Sequence, residues 1–206
     1  MMMFDAGAAE GGSAPQNGRG GSRRILGPVD FDATLASLEA KIEAAIRESP
    51  SEDASWAIVG IKRKGAVIAR RLWESLRARY PSLAYGELDI ALYRDDYHLE
   101  QGHRVVSGTE LDFSVEGASI VLVDDVLFTG PTVRAAMHQL LDFGRPKRIW
   151  LSVLVDRGNR ELPIEANHVA LTVPTRESDR IVVSLRELGE PEDAVDLLIG
   201  PESAEG

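Results

Sequence analysis

The chain has 206 residues, 44% hydrophobic and 27% charged, the size and mix of one globular domain with a sizeable core. It holds no cysteine, which excludes a disulfide framework and thiolate metal sites, and its longest apolar runs, Ile120–Val123 and Ile149–Val155, fall far short of the roughly 20 residues that span a bilayer. The net charge of −10 argues against a partner bound mainly through phosphate neutralisation, yet it is uneven: residues 1–24 sum to +1, 25–188 to −5 and 189–206 to −6.

Met1–Arg24 has no apolar core between its charges and glycines, so it does not read as a secretory signal and is expected to stay on a cytoplasmic protein. Six of the nineteen glycines fall there, and residues 1–27 are expected to form a flexible tail. From Asp32 to Arg47, Leu35, Leu38, Ile42 and Ile46 recur at helical spacing, with Asp30 or Asp32 as cap. Ala57–Ile61 reads as a strand, closed by the basic loop Lys62-Arg63-Lys64-Gly65 and followed by a helix carrying Val67, Ile68, Leu72 and Leu76. A second strand is expected over Leu88–Tyr93, and the long polar stretch Arg94–Gly117 after it suggests a mobile lid or hairpin.

Ile120–Val123 is a third strand running into Asp124-Asp125, then a helix over Thr132–Phe143 and a strand over Ile149–Val155. Two more apolar runs, Val169–Val173 and Ile181–Leu185, complete a central, mostly parallel sheet flanked by helices, because alternating strands and helices imply right-handed crossovers. The domain is expected over 28–188, with 189–206 as an acidic tail. The three tryptophans, Trp56, Trp73 and Trp150, lie in or beside apolar elements and read as core.

In such a sheet ligands bind outside the carboxyl ends of the strands, so the Asp pair and the Lys62–Gly65 loop should face one pocket. Val126-Leu127-Phe128-Thr129-Gly130-Pro131-Thr132 offers small residues, two hydroxyls and the unpaired amides of a helix start, with Pro131 suited to the first turn. A sugar phosphate fits: phosphate on the loop, vicinal hydroxyls on the carboxylates. A bare Asp-Asp at a strand end is as often only solvated, and it is the Thr-Gly-x-Thr that follows which favours a site. A Walker B reading fails for want of a G-x-x-x-x-G-K-[ST] loop.

Val121–Val133 resembles the 5-phosphoribosyl pyrophosphate signature of type I phosphoribosyltransferases. Together with Val59–Ile61, Asp89–Asp96, Gly144–Pro146 and Leu154–Ile164, the chain resembles the PyrR family of pyrimidine-operon attenuation regulators and uracil phosphoribosyltransferases over roughly residues 30–188. The resemblance implies an α/β type I phosphoribosyltransferase fold and the conversion of uracil and 5-phosphoribosyl pyrophosphate to UMP and pyrophosphate, with Mg²⁺ carried mainly by the substrate and no metal site from protein alone. It implies that Asp124 and Asp125 hold the ribose hydroxyls, Thr129–Thr132 the 5′-phosphate and Lys62–Gly65 the pyrophosphate. Uracil would lie near Val155, Asp156 and Arg157, the polar stretch after Tyr93 would close over the site, and a homo-oligomer is expected.

Two positions depart from the family pattern. Lys64 stands where an arginine is usual, a point charge without the bidentate fork, and Pro131 stands where relatives often carry arginine. Arg94, which leaves the second strand beside the ligand loops with Asp95 and Asp96, is a candidate catalytic group or part of a structural ion pair. Arg160, Thr175, Arg176 and Arg180 are candidate RNA contacts, but Asn159, Glu165 and Leu171 replace cationic positions and residues 28–53 carry seven acids against Lys41 and Arg47. The expectation is catalysis ahead of RNA binding, with a ligand-sensing attenuator and the same transfer to another base as the alternatives. His98 and His103 have no third ligand nearby and read as solvated.

Overall fold

The computed structural model describes residues 21–48, 55–90 and 108–201. In chain order the elements are β1 (Ser22–Leu26), α1 (Pro28–Arg47), β2 (Trp56–Ile61), α2 (Lys64–Leu76), β3 (Ala84–Leu88), β4 (Glu110–Leu111), β5 (Ser119–Leu127), α3 (Pro131–Asp142), β6 (Arg148–Asp156), β7 (His168–Thr172), β8 (Arg180–Ser184), a 3₁₀ turn (Arg186–Leu188) and β9 (Ala194–Leu198).

Every residue of β2 is buried, as is most of β5, so both strands must have both faces covered, the situation of a parallel sheet under helices. They pair in parallel with Ala57 opposite Ile120 and Gly60 opposite Val123. The sheet has the order β4-β3-β2-β5-β6-β7, parallel throughout except for β4 at its edge. Strand alternation then sorts the core. Ile58, Val121 and Val123 pack with Phe31, Leu38, Ile42 and Ile46 of α1 and Ile68, Leu72 and Leu76 of α2. Ala57, Val59, Ile120 and Leu122 pack with Val133, Ala136 and Leu140 of α3 on the opposite face. Trp56 is buried with its ring 5.0 Å from that of Trp150, as the apolar surroundings of both suggested.

Several expectations change. Helix α1 starts at Pro28, with Gly27 as its cap and no aspartate cap bond, because proline suits a first turn and Phe31 N–H already reaches Gly27 O at 2.8 Å. Of the strand expected over Leu88–Tyr93, Leu88 is the last residue of β3, Asp89 and Ile90 follow it outside any strand, and residues 91–93 lie outside the described residues. The Asp pair falls inside β5, which continues to Leu127 because its pairing with β6 runs on to Leu127 and Asp156. Ile181–Leu185 does not join the parallel sheet: β8 lies in a separate antiparallel sheet of order β1-β9-β8. The expected tail boundaries at 27 and 189 therefore do not hold for the described residues. Ser22–Leu26 and Ala194–Leu198 are paired strands, held by Leu26, Val195 and Leu197 in the core and by Arg24 donating to Asp196 at 2.7 Å and Glu192 at 2.6 Å. Of the expected lid, Gly108–Gly117 supplies β4 and its flanks, while residues 91–107, with Arg94, His98 and His103, lie outside the described residues.

Candidate active site

The carboxyl ends of β2, β5 and β6 are neighbours, and each delivers one loop to the same region. Asp124, 5% exposed, accepts the Asp125 amide on Oδ1 at 2.9 Å, while Asp125 is only half-buried. Val126 and Leu127 hold the strand in register with Val155 and Asp156, and Phe128 and Thr129 lead out of it. Gly130 turns the chain with φ +110°, a conformation that a side chain disfavours, and a Cβ there would come within 3.3 Å of Leu162. Pro131 follows at the first helical position, so the amides of Thr132 and Val133 have no acceptor within α3, the arrangement of a helix start that suits an anion.

The Lys62–Gly65 loop reaches the Asp pair directly. A Cβ on Gly65 would stand 2.6 Å from Val123 O and 3.2 Å from Asp124 Oδ1, so only glycine lets the start of α2 lie against β5. Likewise a Cβ on Gly60 would lie 2.4 Å from Ala66 Cα. The Lys62–Arg63 peptide is cis. Arg63 is exposed and Lys64 half-buried. Lys62 is engaged elsewhere: its Nζ donates to Gly108 O at 2.8 Å and lies 3.6 Å from both Glu87 and Glu110, tying the loop to the β3–β4 edge. Glu87 also accepts from Arg70 at 2.7 Å and Tyr85 at 2.8 Å. Burial pushes its carboxyl up, but these bonds and Lys62 outweigh it and hold it below the ordinary range.

The third loop follows β6. Arg157 is buried, with its guanidinium 3.8 Å from the Phe128 ring centroid, Nε donating to Thr175 Oγ1 at 2.9 Å and Nη2 to Arg176 O at 2.8 Å. Burial lowers its pKa and the charge of Asp179 partly restores it. Asp156 accepts the Gly158 amide at 2.9 Å and pairs with Arg160, which also donates to Phe128 O at 3.0 Å. The Glu161 and Leu162 amides both close on Thr129 O, at 3.0 and 3.1 Å, so the loops after β5 and β6 form one unit. Beside them opens a cavity of about 410 Å³ lined by Asp156, Arg157, Asn159, Glu165, Thr172 and Thr175, within the usual range for a small-molecule site.

The structure thus gathers Asp124, Asp125, the 126–132 loop, Lys62–Gly65 and Val155–Arg157, and turns the side chain of Lys62 aside. Three of the four candidate RNA contacts are occupied within the chain, Arg160 by Asp156, Thr175 by Arg157, and Arg176 by Asp179 at 2.8 Å, while Arg180 is exposed. Sequence reasoning missed Glu87 and the contact of Arg157 with the Phe128 ring, since each depends on side chains from separate elements meeting in the fold. Among the described residues no three acids or histidines gather to hold a metal, and no helix is long and apolar enough to cross a membrane.

Residues 33–188 match the model of the phosphoribosyl transferase domain. The chain is 44% identical over 155 residues to the bifunctional protein PyrR of Elusimicrobium minutum, covering 75% of this chain and 86% of that one. It is 44% identical over 179 residues to the bifunctional protein PyrR of Roseiflexus sp., covering 85% and 94%. Among solved structures, a hypoxanthine phosphoribosyltransferase from Staphylococcus aureus superposes with TM-score 0.62 at 19% identity, covering 87% of this chain and 93% of that chain, which shows a shared fold. With a signature loop on the carboxyl edge of a parallel sheet and these relatives across most of its length, the chain belongs to the PyrR branch of the phosphoribosyltransferase family.

Proposed function

We propose that this protein transfers the phosphoribosyl group of 5-phosphoribosyl pyrophosphate to N1 of uracil, giving UMP and pyrophosphate. The observation that carries the reading is the gathering of three groups at one sheet edge: carboxylates at Asp124 and Asp125 near the end of β5, the helix-start amides at Gly130–Thr132, and a glycine-packed cationic loop at Arg63–Gly65. Asp124 and Asp125 take the ribose hydroxyls and the helix-start amides take the 5′-phosphate. As the bond from C1′ to pyrophosphate oxygen breaks, pyrophosphate leaves with the bonding pair. Uracil N1 then bonds to C1′, and its proton passes to the departing pyrophosphate or to water. Positive charge that develops on the ribose ring is favoured by the two fixed carboxylates, and charge on the leaving group by Arg63 and Lys64.

Mg²⁺ fits this donor set as an ion held mostly by phosphate oxygens and water, and when bound it neutralises charge on the pyrophosphate. Lys64 and Pro131 each leave less fixed, directional cationic character around the phosphates than arginine would, so we expect a weaker hold on the sugar pyrophosphate than in relatives with arginine there. The base cavity beside Arg157 holds uracil, and the cysteine-free chain suits a reducing cytoplasm.

The test is turnover of radiolabelled uracil by the purified protein with Mg²⁺ and 5-phosphoribosyl pyrophosphate, with hypoxanthine, guanine and orotate run beside it. UMP from uracil alone supports the reading, and product from another base alone overturns the choice of base. A second reading, a pyrimidine-responsive RNA attenuator, is favoured by the relatives' description as bifunctional. Against it stand Glu39 and Glu43 on α1, both bound to Arg79, and the internal partners of Arg160 and Arg176. Equal affinity for pyrimidine-leader and scrambled RNA would end it.

A further inference from the structure

Helix α2 starts within the Lys62–Gly65 loop and packs its inner face through Ile68, Ala69, Leu72 and Leu76, while Arg70 and Arg71 on its outer face form ion pairs with Glu87, Glu187 and Asp193. That face borders a cavity of about 400 Å³ lined by Arg63, Val67, Arg70, Arg71, Glu187 and Leu188, and the Arg71 guanidinium also lies 5.8 Å from the Phe31 ring centroid. Arg71 spans the gap. It donates from Nη2 to Asp193 Oδ1 at 3.0 Å, lies 3.0 Å from Asp193 Oδ2 through Nη1, and reaches both oxygens of Glu187, 2.8 Å from Nε to Oε1. Asp193 is 1% exposed, precedes β9, and also accepts the Arg186 amide at 2.9 Å. Burial pushes its carboxyl up, but the bonds from Arg71 and the Arg186 amide outweigh that and keep it ionised below the ordinary range.

A buried ion pair of this kind is a poor source of stability, because desolvating both charges offsets most of their attraction. A forked arginine–carboxylate contact is, however, directional and fixes where the arginine can sit. In the first turn of the same helix Gly65 has no slack against Val123 O, so a rotation of α2 displaces Lys64 and Gly65 relative to Asp124. We propose that Asp193 is a positioning residue for the pyrophosphate loop: through Arg71 it sets the rotation of α2 and hence the placement of Arg63, Lys64 and Gly65. The inference rests on the phosphoribosyl-transfer reading. It assigns a role at the pyrophosphate site to a residue in the acidic C-terminal region, 122 positions from its partner.

The experiment compares the full chain with Asp193→Asn, Asp193→Glu and Arg71→Lys, each checked by thermal unfolding. Steady-state kinetics yield KM for 5-phosphoribosyl pyrophosphate and for uracil, and calorimetry yields Kd for magnesium pyrophosphate. Displacement of a catalytic loop by about 1 Å is worth up to about 100-fold, and a fraction of that shift gives an expected rise of about tenfold in the sugar-pyrophosphate KM and the pyrophosphate Kd for Asp193→Asn and Arg71→Lys. The uracil KM should stay within about twofold, and Asp193→Glu should recover part of the loss. A uniform fall in all parameters that tracks the melting temperature would make Asp193 merely structural, and unchanged pyrophosphate affinity would overturn the proposal. Wild-type protein that binds pyrophosphate but converts no base would refute the transferase reading while the calorimetry still decides Asp193. If Asp193→Asn does not fold, Arg71→Lys carries the same comparison.

Discussion

Replacing Gly65 by alanine isolates the contact on which the site depends. The added Cβ would stand 2.6 Å from Val123 O, where ordinary contact begins at 3.4 Å, and 3.0 Å from Asp124 Cα. Both obstacles are backbone of a central strand paired on either side by β2 and β6, so β5 cannot yield. The start of α2 must retreat by about 0.8 Å instead. Overpacking of this size costs about 1–3 kcal/mol, or roughly 2–12 °C in melting temperature for a chain of this length. The retreat also carries Lys64 and its neighbours away from the leaving group, and a displacement near 1 Å costs up to about 100-fold in rate. The assay is kcat/KM for 5-phosphoribosyl pyrophosphate beside a thermal melt, with Gly27→Ala as control because a Cβ there meets nothing within 4 Å. A Gly65→Ala protein with wild-type kcat/KM would show that the Lys62–Gly65 loop is not part of the site.

Asp125→Asn should lower kcat by about 10²-fold or more with little change in melting temperature, since it removes a charge near the reacting sugar from a half-buried position; undiminished turnover would displace the ribose site from β5. Deletion of residues 1–26 removes β1, the burial of Leu26 and the Arg24 pairs with Glu192 and Asp196, and should cost about 2–3 kcal/mol in chemical denaturation; an unaltered midpoint would mean that β1 is dispensable. His168, beside Trp150 with Nδ1 2.9 Å from Ser152 Oγ, has its pKa lowered from 6.5 by burial and by Lys41. The unfolded chain therefore binds the proton first, so this contribution is present above about pH 6.5 and is lost as pH falls below it. His168→Gln should shrink the drop in stability between pH 7 and 5, and parallel pH profiles for the two proteins would refute the assignment.

Much of the site is written locally. An apolar strand, two acids, a glycine and a proline at a helix start lie within Ile120–Thr132, and each acts through its own backbone conformation or immediate neighbours. The same holds for the strand, basic loop and helix of Ala57–Leu76, whose order follows from the switch in hydrophobic period. The pairing of β1 with β9 has no such signal. Ser22–Leu26 carries two arginines after its first residue, β9 lies in an acidic stretch, and their partnership exists only because residues 172 positions apart meet, as Arg24 and Asp196 do. Strand β8 likewise reads as one more apolar run, and which sheet it enters depends on β9 waiting beside it. Asp193 is the plainest case. In the sequence it is one acid among six between Glu190 and Glu205, and nothing separates it from its solvated neighbours. Burial is a property of what surrounds a residue, and for Asp193 that is Arg71 on another element and the Arg186 amide, so only the folded chain could single it out.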